Sequence, residues 1–191
     1  LLASSRYNVK FLGVFLSPVA LLLMLFALAL PKEIVPLAPA LKSLWHPFHV
    51  TFAFLGNACF TLAFCCGIMY LIQERRIKAQ KWGTLARRLP SLQALDDLSY
   101  RALAWGFPLL TLGIITGAVW AEYAWGRYWD WDPKETWSLI TWFLYAALLH
   151  QRLAVGWRGR RAAVMAIVGF LAVLFTFLGV SFLLPGLHAY L

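Results

Sequence analysis

The sequence predicts an all-α fold, a polytopic bundle of about five membrane-spanning helices. Three observations predict it. Of 191 residues, 62% are hydrophobic and only 13% charged, about half the charged share of an ordinary soluble domain. The mean hydropathy is +0.71. The apolar residues also gather into runs near the ~20 residues that carry a helix across a bilayer, at about 11–30, 50–72, 102–121, 133–153 and 162–184.

The first run lacks a small-residue cleavage site and ends in Leu30, Pro31 and Lys32, so it reads as a span and not as a removed signal. The opening Leu1, in place of Met, raises the expectation of a fragment lacking earlier spans. Residues 31–48 are Pro-rich and predict an extended connection with one short helix around Ala40–Trp45. The second span holds all three cysteines, Cys59, Cys65 and Cys66; their spacing is neither CxxC nor CxxCH, and they read as packing residues. A basic connection, 73–101, follows, and after Pro90 the spacing of Leu92, Leu95 and Leu98 predicts a separate interfacial helix. The third span carries Pro108 and the small-residue pair Gly113 and Gly117, which reads as ordinary close helix packing. No repeat or low-complexity tract divides the chain, so 1–191 is expected to form a single transmembrane domain.

Thirteen of the seventeen Lys and Arg fall before the first span, between the second and third, or between the fourth and fifth. Since basic residues are retained on the cytoplasmic side during insertion, this predicts an inside N-terminus and an outside C-terminus. A basic face against anionic lipid accounts for the net charge of +9 without a nucleic-acid partner.

The outer segment 120–137, "WAEYAWGRYWDWDPKETW", holds Trp120, Trp125, Trp129, Trp131 and Trp137, five of the ten Trp, and four of the eight acids. An aromatic belt explains Trp at span ends but explains Trp125, Trp129 and Trp131, within the loop, less well. Asp132, Pro133 and Glu135 read as a helix start, with Asp at the N-cap, Pro in the first turn and Glu closing a capping box. The remaining Trp-rich surface suits a flat apolar ligand, with Arg127 and Lys134 available to anionic groups on its rim. Haem has that shape and carries two propionates, and it requires axial ligands.

On the predicted topology, His49 at the outer end of the second span and His188 beyond the outer end of the fifth can face this segment from two sides, one per axial position of an iron. His46 competes with His49, and Pro47 between them favours one ligand over a pair. Either histidine alone is equally an interfacial residue with a wet hydrogen bond. His150 lies fifteen residues after Glu135, ~22 Å along a helix, in the inner half of the bilayer, where an ionisable side chain is a functional candidate.

These residues carry a resemblance. "WGRYWDWDPKETWSLITWFLYAALLH", preceded by "LDDLSYRALAWGFPLLTLGIITGAVWA" and flanked by "LWHPFHV" and "LPGLHAYL", resembles the WWD-signature haem-handling membrane proteins in the form carried by CcsA (ResC), the membrane subunit of the system II cytochrome c synthase. It covers about residues 43–191. The related CcmC and CcmF proteins differ after the WD pair, which makes a CcmC-like haem delivery protein the runner-up. The resemblance implies haem b bound non-covalently as substrate and exported with a CcsB-type partner. It further implies presentation to apocytochrome c for thioether attachment at CxxCH, a haem lyase activity. By position, His49 and His188 match the outer histidines and His150 a histidine within the membrane. The family's second membrane histidine has no candidate here and is expected from the CcsB partner. The implied location is the bacterial inner membrane, or the thylakoid membrane in a plastid, with the Trp segment outside.

No residue reads as a general acid or base, so any catalysis is expected to come from positioning. Asp130 would repel propionates and is expected to orient Arg127 or the loop. A respiratory b-type haem subunit would want ligand pairs at two depths, and only His150 lies well inside a span. A solute transporter would show paired repeats and broken helices, and none is seen.

Overall fold

The computed structural model describes residues 12–29, 39–80 and 89–186, and every regular element among them is helical. Helix α1 is Leu12–Ala29, and a 3₁₀ turn at Pro39–Lys42 leads into α2, Trp45–Lys78. Then come α3, Leu92–Trp125, and α4, Pro133–Ala154. Helix α5, Arg160–Leu183, contains one π turn at Phe175–Gly179. Four of these, α1, α2, α3 and α5, are long and apolar enough to cross a membrane, and the protein is an integral membrane protein. Helix α4 coincides with the expected fourth span. Its composition is less apolar because both ends are polar, with Lys134 and Glu135 at one and His150, Gln151 and Arg152 at the other.

Each boundary has a local cause. Helix α3 starts at Ser91, whose hydroxyl accepts from the Ala94 N–H at 3.2 Å. It stops at Gly126, which takes φ +72° and returns its N–H to the Glu122 carbonyl at 2.9 Å. Between these caps the helix is continuous for 34 residues through Pro108. The expected separate interfacial helix is therefore corrected: Leu92, Leu95 and Leu98 form the first turns of α3. Their apolar side has a protein partner, since Leu95 is buried with Cys65, Cys66, Met69 and Leu89 against α2. The short helix expected around Ala40–Trp45 is a 3₁₀ turn at its start, and Trp45 already belongs to α2.

Among the described elements, α2 and α3 make the most extensive contact. Hydrophobic transfer gives little help inside a bilayer, so close approach of backbones carries such contacts. Here small residues allow it: a Cβ on Gly113 would lie 3.2 Å from the Ala53 backbone nitrogen, and one on Gly106 2.7 Å from the Phe60 ring. The central core gathers Phe60, Leu103, Tyr145, Leu148 and Phe170. Phe60 and Tyr145 stack with centroids 3.7 Å apart, and Gly169 gives the tyrosine room, since a Cβ there would stand 2.9 Å from its ring. The three cysteines are free thiols, with Cys65 and Cys66 buried, in keeping with packing.

At the opposite end from the Trp segment, Arg152 of α4 donates two hydrogen bonds to the Asp96 carboxylate of α3, at 2.8 and 2.7 Å. The Gly159 N–H adds a third at 2.9 Å. Arg152 also lies over the Tyr100 ring. This buried fork-to-carboxylate pair ties α3, α4 and the α4–α5 turn together.

Candidate functional site

The ends of α2, α3, α4 and α5 nearest the Trp segment enclose a cavity of about 520 Å³, within the ~300–1,000 Å³ range of small-molecule sites. Its lining includes His46, Trp125, Trp129, Lys134 and Glu135 toward the Trp segment and Asn57, Leu110, Thr141 and Val173 further along the helices. From His49 to Asn57 along α2 is ~12 Å of helix, so the cavity is a slot reaching into the bundle and not a ledge on its surface. The Phe60–Tyr145 stack lies one turn further along each of α2 and α4.

Helix α2 supplies the imidazoles. His49 and the Gly113 carbonyl of α3 are hydrogen-bonded through Nδ1 at 2.8 Å. The carbonyl can only accept, so Nδ1 carries the proton and the ring's lone pair sits on Nε2, the arrangement of a metal-ligating histidine held by a second group. The ring lies nearly parallel to Trp120, 10° between planes and 5.9 Å between centroids. Gly117 makes room for it, because a Cβ there would fall 2.6 Å from Nδ1. The same carbonyl accepts from the Thr116 hydroxyl at 3.2 Å, which strengthens the acceptor's hold on its own position. His46, one turn earlier, lines the same cavity and packs on Trp120 at 5.2 Å. Pro47 sits in the first turn of α2, where its missing N–H costs nothing, and the rings on either side of it both line the cavity.

The Trp residues are walls. Trp120 is buried, and Trp125 meets it edge-on at 4.9 Å; with Trp129 these three line the cavity. Trp131 does not line it: it is 69% exposed, takes φ +55° and packs edge-on against Trp129. Arg127 forms an ion pair with Asp130 on the loop between α3 and α4, and neither residue lines the cavity. Lys134, by contrast, lines the cavity and donates to the Ser181 hydroxyl at 2.7 Å.

The start of α4 forms as the sequence predicts. The Asp132 carboxylate accepts from the Lys134 N–H at 2.9 Å, and Glu135 Oε2 reaches back to the Asp132 N–H at 3.2 Å, completing the capping box. Glu135 also accepts from the Asp130 N–H at 2.9 Å, fastening the loop to the helix. The described chain ends at Gly186, where a Cβ would stand 2.5 Å from Asp132 Oδ1. His188 lies outside the described residues. His150 is exposed on α4 and does not line the cavity.

Three features of the site went unread in the sequence. Ser138 and Thr141 continue, at i+4 and i+7, the helix face of Lys134, which the sequence had already offered to the ligand's rim, and all three line the cavity. The glycine pair of α3 seats His49 as well as packing helices. And Thr176 and Phe177, inside the π turn of α5, line the cavity too; Thr176 meets Thr141 at 3.0 Å and also reaches the Ala172 carbonyl at 2.8 Å. Such turns recur at functional sites, but nothing in "FTFLG" announces one.

A family model described as cytochrome C assembly protein matches residues 1–188. This chain belongs to that family. Among its relatives are proteins named cytochrome c biogenesis protein CcsA: one from Guillardia theta is 42% identical, over 97% of this chain and 68% of the relative. One from Chlamydomonas reinhardtii is 46% identical, over 95% and 51%, and one from Microcystis aeruginosa is 40% identical, over 100% and 73%. The chain thus spans about half to three quarters of the length of these CcsA relatives. The family match extends across residues 1–42 as well, ahead of the region in which the resemblance was legible.

Proposed function

We propose that this chain is a haem-handling segment of a CcsA-type cytochrome c biogenesis protein, and that the cavity takes haem b as substrate. The observation that carries this reading is the His49 ring, held through Nδ1 on the Gly113 carbonyl so that the lone pair belongs to Nε2, inside a Trp-walled slot. The residues fit the group: the walls are aromatic, one imidazole is set for iron, and a lysine lines the slot. His188 supplies the second axial position in this reading, as the resemblance implies.

In the same reading the Trp segment faces the outer side, where apocytochrome c arrives. Each thiol of its CxxCH segment adds across a haem vinyl group: sulfur bonds to one vinyl carbon, the thiol hydrogen ends on the other, and no outside oxidant is consumed. This chain's contribution is to hold and orient the ring, since no lining residue is placed as a proton donor to a vinyl carbon. Trp131, exposed beside Trp129, suits contact with the incoming peptide. His150, exposed on α4, suits a ligand shared with a CcsB-type partner that brings the second histidine during export.

The test is a visible spectrum of the full chain, purified in detergent with haem, oxidised and reduced. Wild type is expected to show low-spin bis-imidazole haem, altered in His49→Ala and in His188→Ala. A spectrum indifferent to both changes would falsify the reading.

A further inference from the structure

The wall of the slot is one side chain thick at one place. Phe54 of α2 and Phe177 of α5 both line the cavity, and both are also exposed, at 55% and 37%. Their rings meet edge-on, with centroids 5.7 Å apart. The helical positions around Phe54 show which sides it faces. Val50, Ala53 and Asn57, at i−4, i−1 and i+3, line the cavity, whereas Thr51, Leu55 and Ala58, at i−3, i+1 and i+4, are exposed and do not. Phe54 therefore stands on the border of two helix faces, with the cavity on one side and the outside of the bundle on the other.

The backbones of α2 and α5 part at this level. Helix α5 lies along α2 over Arg160–Leu174, and then the π turn and Val180–Leu183 turn to α4. There they are held by the Thr176–Thr141 hydrogen bond at 3.0 Å, by Lys134 on the Ser181 hydroxyl and by Phe175 against Trp137. Phe177 reaches back across the gap to Phe54. Helix α1 does not cover the place. It meets α2 where Leu12 and Phe15 pack near Cys65, and α5 where Phe26 meets Phe182 edge-on at 5.5 Å. Between those contacts residues 21–25 are all exposed, and five successive residues take in every side of a helix. From Cys65 to Phe54 is ~16 Å of helix, as from Phe15 to Phe26, so this exposed stretch of α1 runs at about the level of the two rings. The window so framed opens in a part of α2 apolar enough to cross a membrane, and it faces lipid chains.

We infer that Phe54 and Phe177 form a side door between α2 and α5, through which haem passes edge-first between the hydrocarbon of the bilayer and the slot. The inference rests on the haem reading above. A flat, largely apolar ring is favoured in lipid over water, and by this route it reaches His49 without its faces being returned to water. Phe177 is the fixed jamb, with the Lys134 ammonium over its ring at 5.7 Å. Phe54 is the leaf. Exposed side chains change rotamer within nanoseconds, and swinging this ring breaks an edge-on aromatic contact while the helices stay where they are.

The experiment takes proteoliposomes of the full chain with iron protoporphyrin IX already dissolved in the bilayer and follows the low-spin spectrum in time. A door sets rates, whereas the site sets final occupancy. Phe54→Ala is expected to speed both uptake and release about tenfold, with occupancy at equilibrium unchanged. Leu55→Ala, exposed next to it but outside the lining, changes neither. In Phe54→Cys/Phe177→Cys, a short bis-thiosulfonate cross-linker is expected to halt uptake and a phosphine reductant to restore it in the same sample, which keeps folding out of the comparison; wild type given the same reagents keeps its rate. Uptake as fast with the cross-link as without it overturns the door and sends the ligand in at the Trp end. An unchanged rate in Phe54→Ala overturns it too. So does a Phe54→Cys thiol that a lipid-soluble maleimide does not reach, because protein then covers the window. A wild type that never gains the His49-dependent spectrum overturns the haem reading, and the door with it.

Discussion

The His49 ring and Gly117 occupy the same space by design of the backbone: the glycine lacks the one atom that would fall 2.6 Å from the imidazole Nδ1. Gly117→Ala is therefore expected to push the ring off its hydrogen bond to Gly113 while leaving every ligand in the chain intact. Groups that orient a metal ligand are worth about 10–100-fold in affinity, and haem affinity should fall within that range. Gly13→Ala, in open space on α1, serves as a folding control. A Gly117→Ala protein that binds haem as wild type does would separate the ring's seat from its function.

His46 shares the cavity with His49 but lies one turn nearer the start of α2, where it packs on the Trp120 ring. His46→Ala is expected to keep the low-spin spectrum that His49→Ala loses. Survival of that spectrum in His49→Ala, and its loss only in the double variant, would assign the iron to His46 instead.

The Arg152–Asp96 pair is buried, with side-chain exposures of 7% and 10%. Removing one partner leaves the other charge without its match, a loss of about 3–5 kcal/mol. Arg152→Met should lower the thermal midpoint in detergent far more than Lys78→Met, whose pair with Glu74 stands on the surface and is worth about 0–1 kcal/mol. Equal shifts in the two variants would show that the inner lock contributes no more than a surface contact.

The capping box predicts a local effect. Asp132→Ala removes the acceptor for the Lys134 N–H and should cost about 0.5–2 kcal/mol. Because Glu135 also holds the Asp130 N–H, Glu135→Ala is expected to loosen the Trp129 loop more than the helix. Limited proteolysis between 126 and 132 measures this, and cleavage should be faster in Glu135→Ala than in Asp132→Ala.

The basic segments predict the orientation. An Ala40→Cys protein should react with an impermeant thiol reagent from the outside, and a Leu85→Cys protein should not. Equal labelling of the two sites would overturn the inside N-terminus.

Much of this architecture was legible in the residues. The apolar runs place all five long helices, because crossing a bilayer demands length and composition and little else. The start of α4 was legible to the residue, since Asp132, Pro133 and Glu135 act on backbone groups within one turn of themselves. His49, Trp120, Trp125 and Trp129 were all marked before any geometry, and they share one cavity. The interfacial helix was misread because a row of leucines records an apolar side without naming what covers it, and here the cover is α2.

What the sequence by itself determined, then, is the part of this protein ruled by local chemistry: helical spans, their caps, and an aromatic, histidine-bearing end. Tertiary structure decided which of those residues meet. It turned an expected flat platform into a slot, sent Trp131 and Arg127 outward, brought Lys134 inward, and made Gly113 and Gly117 into a seat for an imidazole 64 residues away from the Gly113 carbonyl. The physical reason is that backbone rules act over a turn of helix. The facing of two helices, by contrast, is set by how closely their small residues let them approach, and that is a property of the pair.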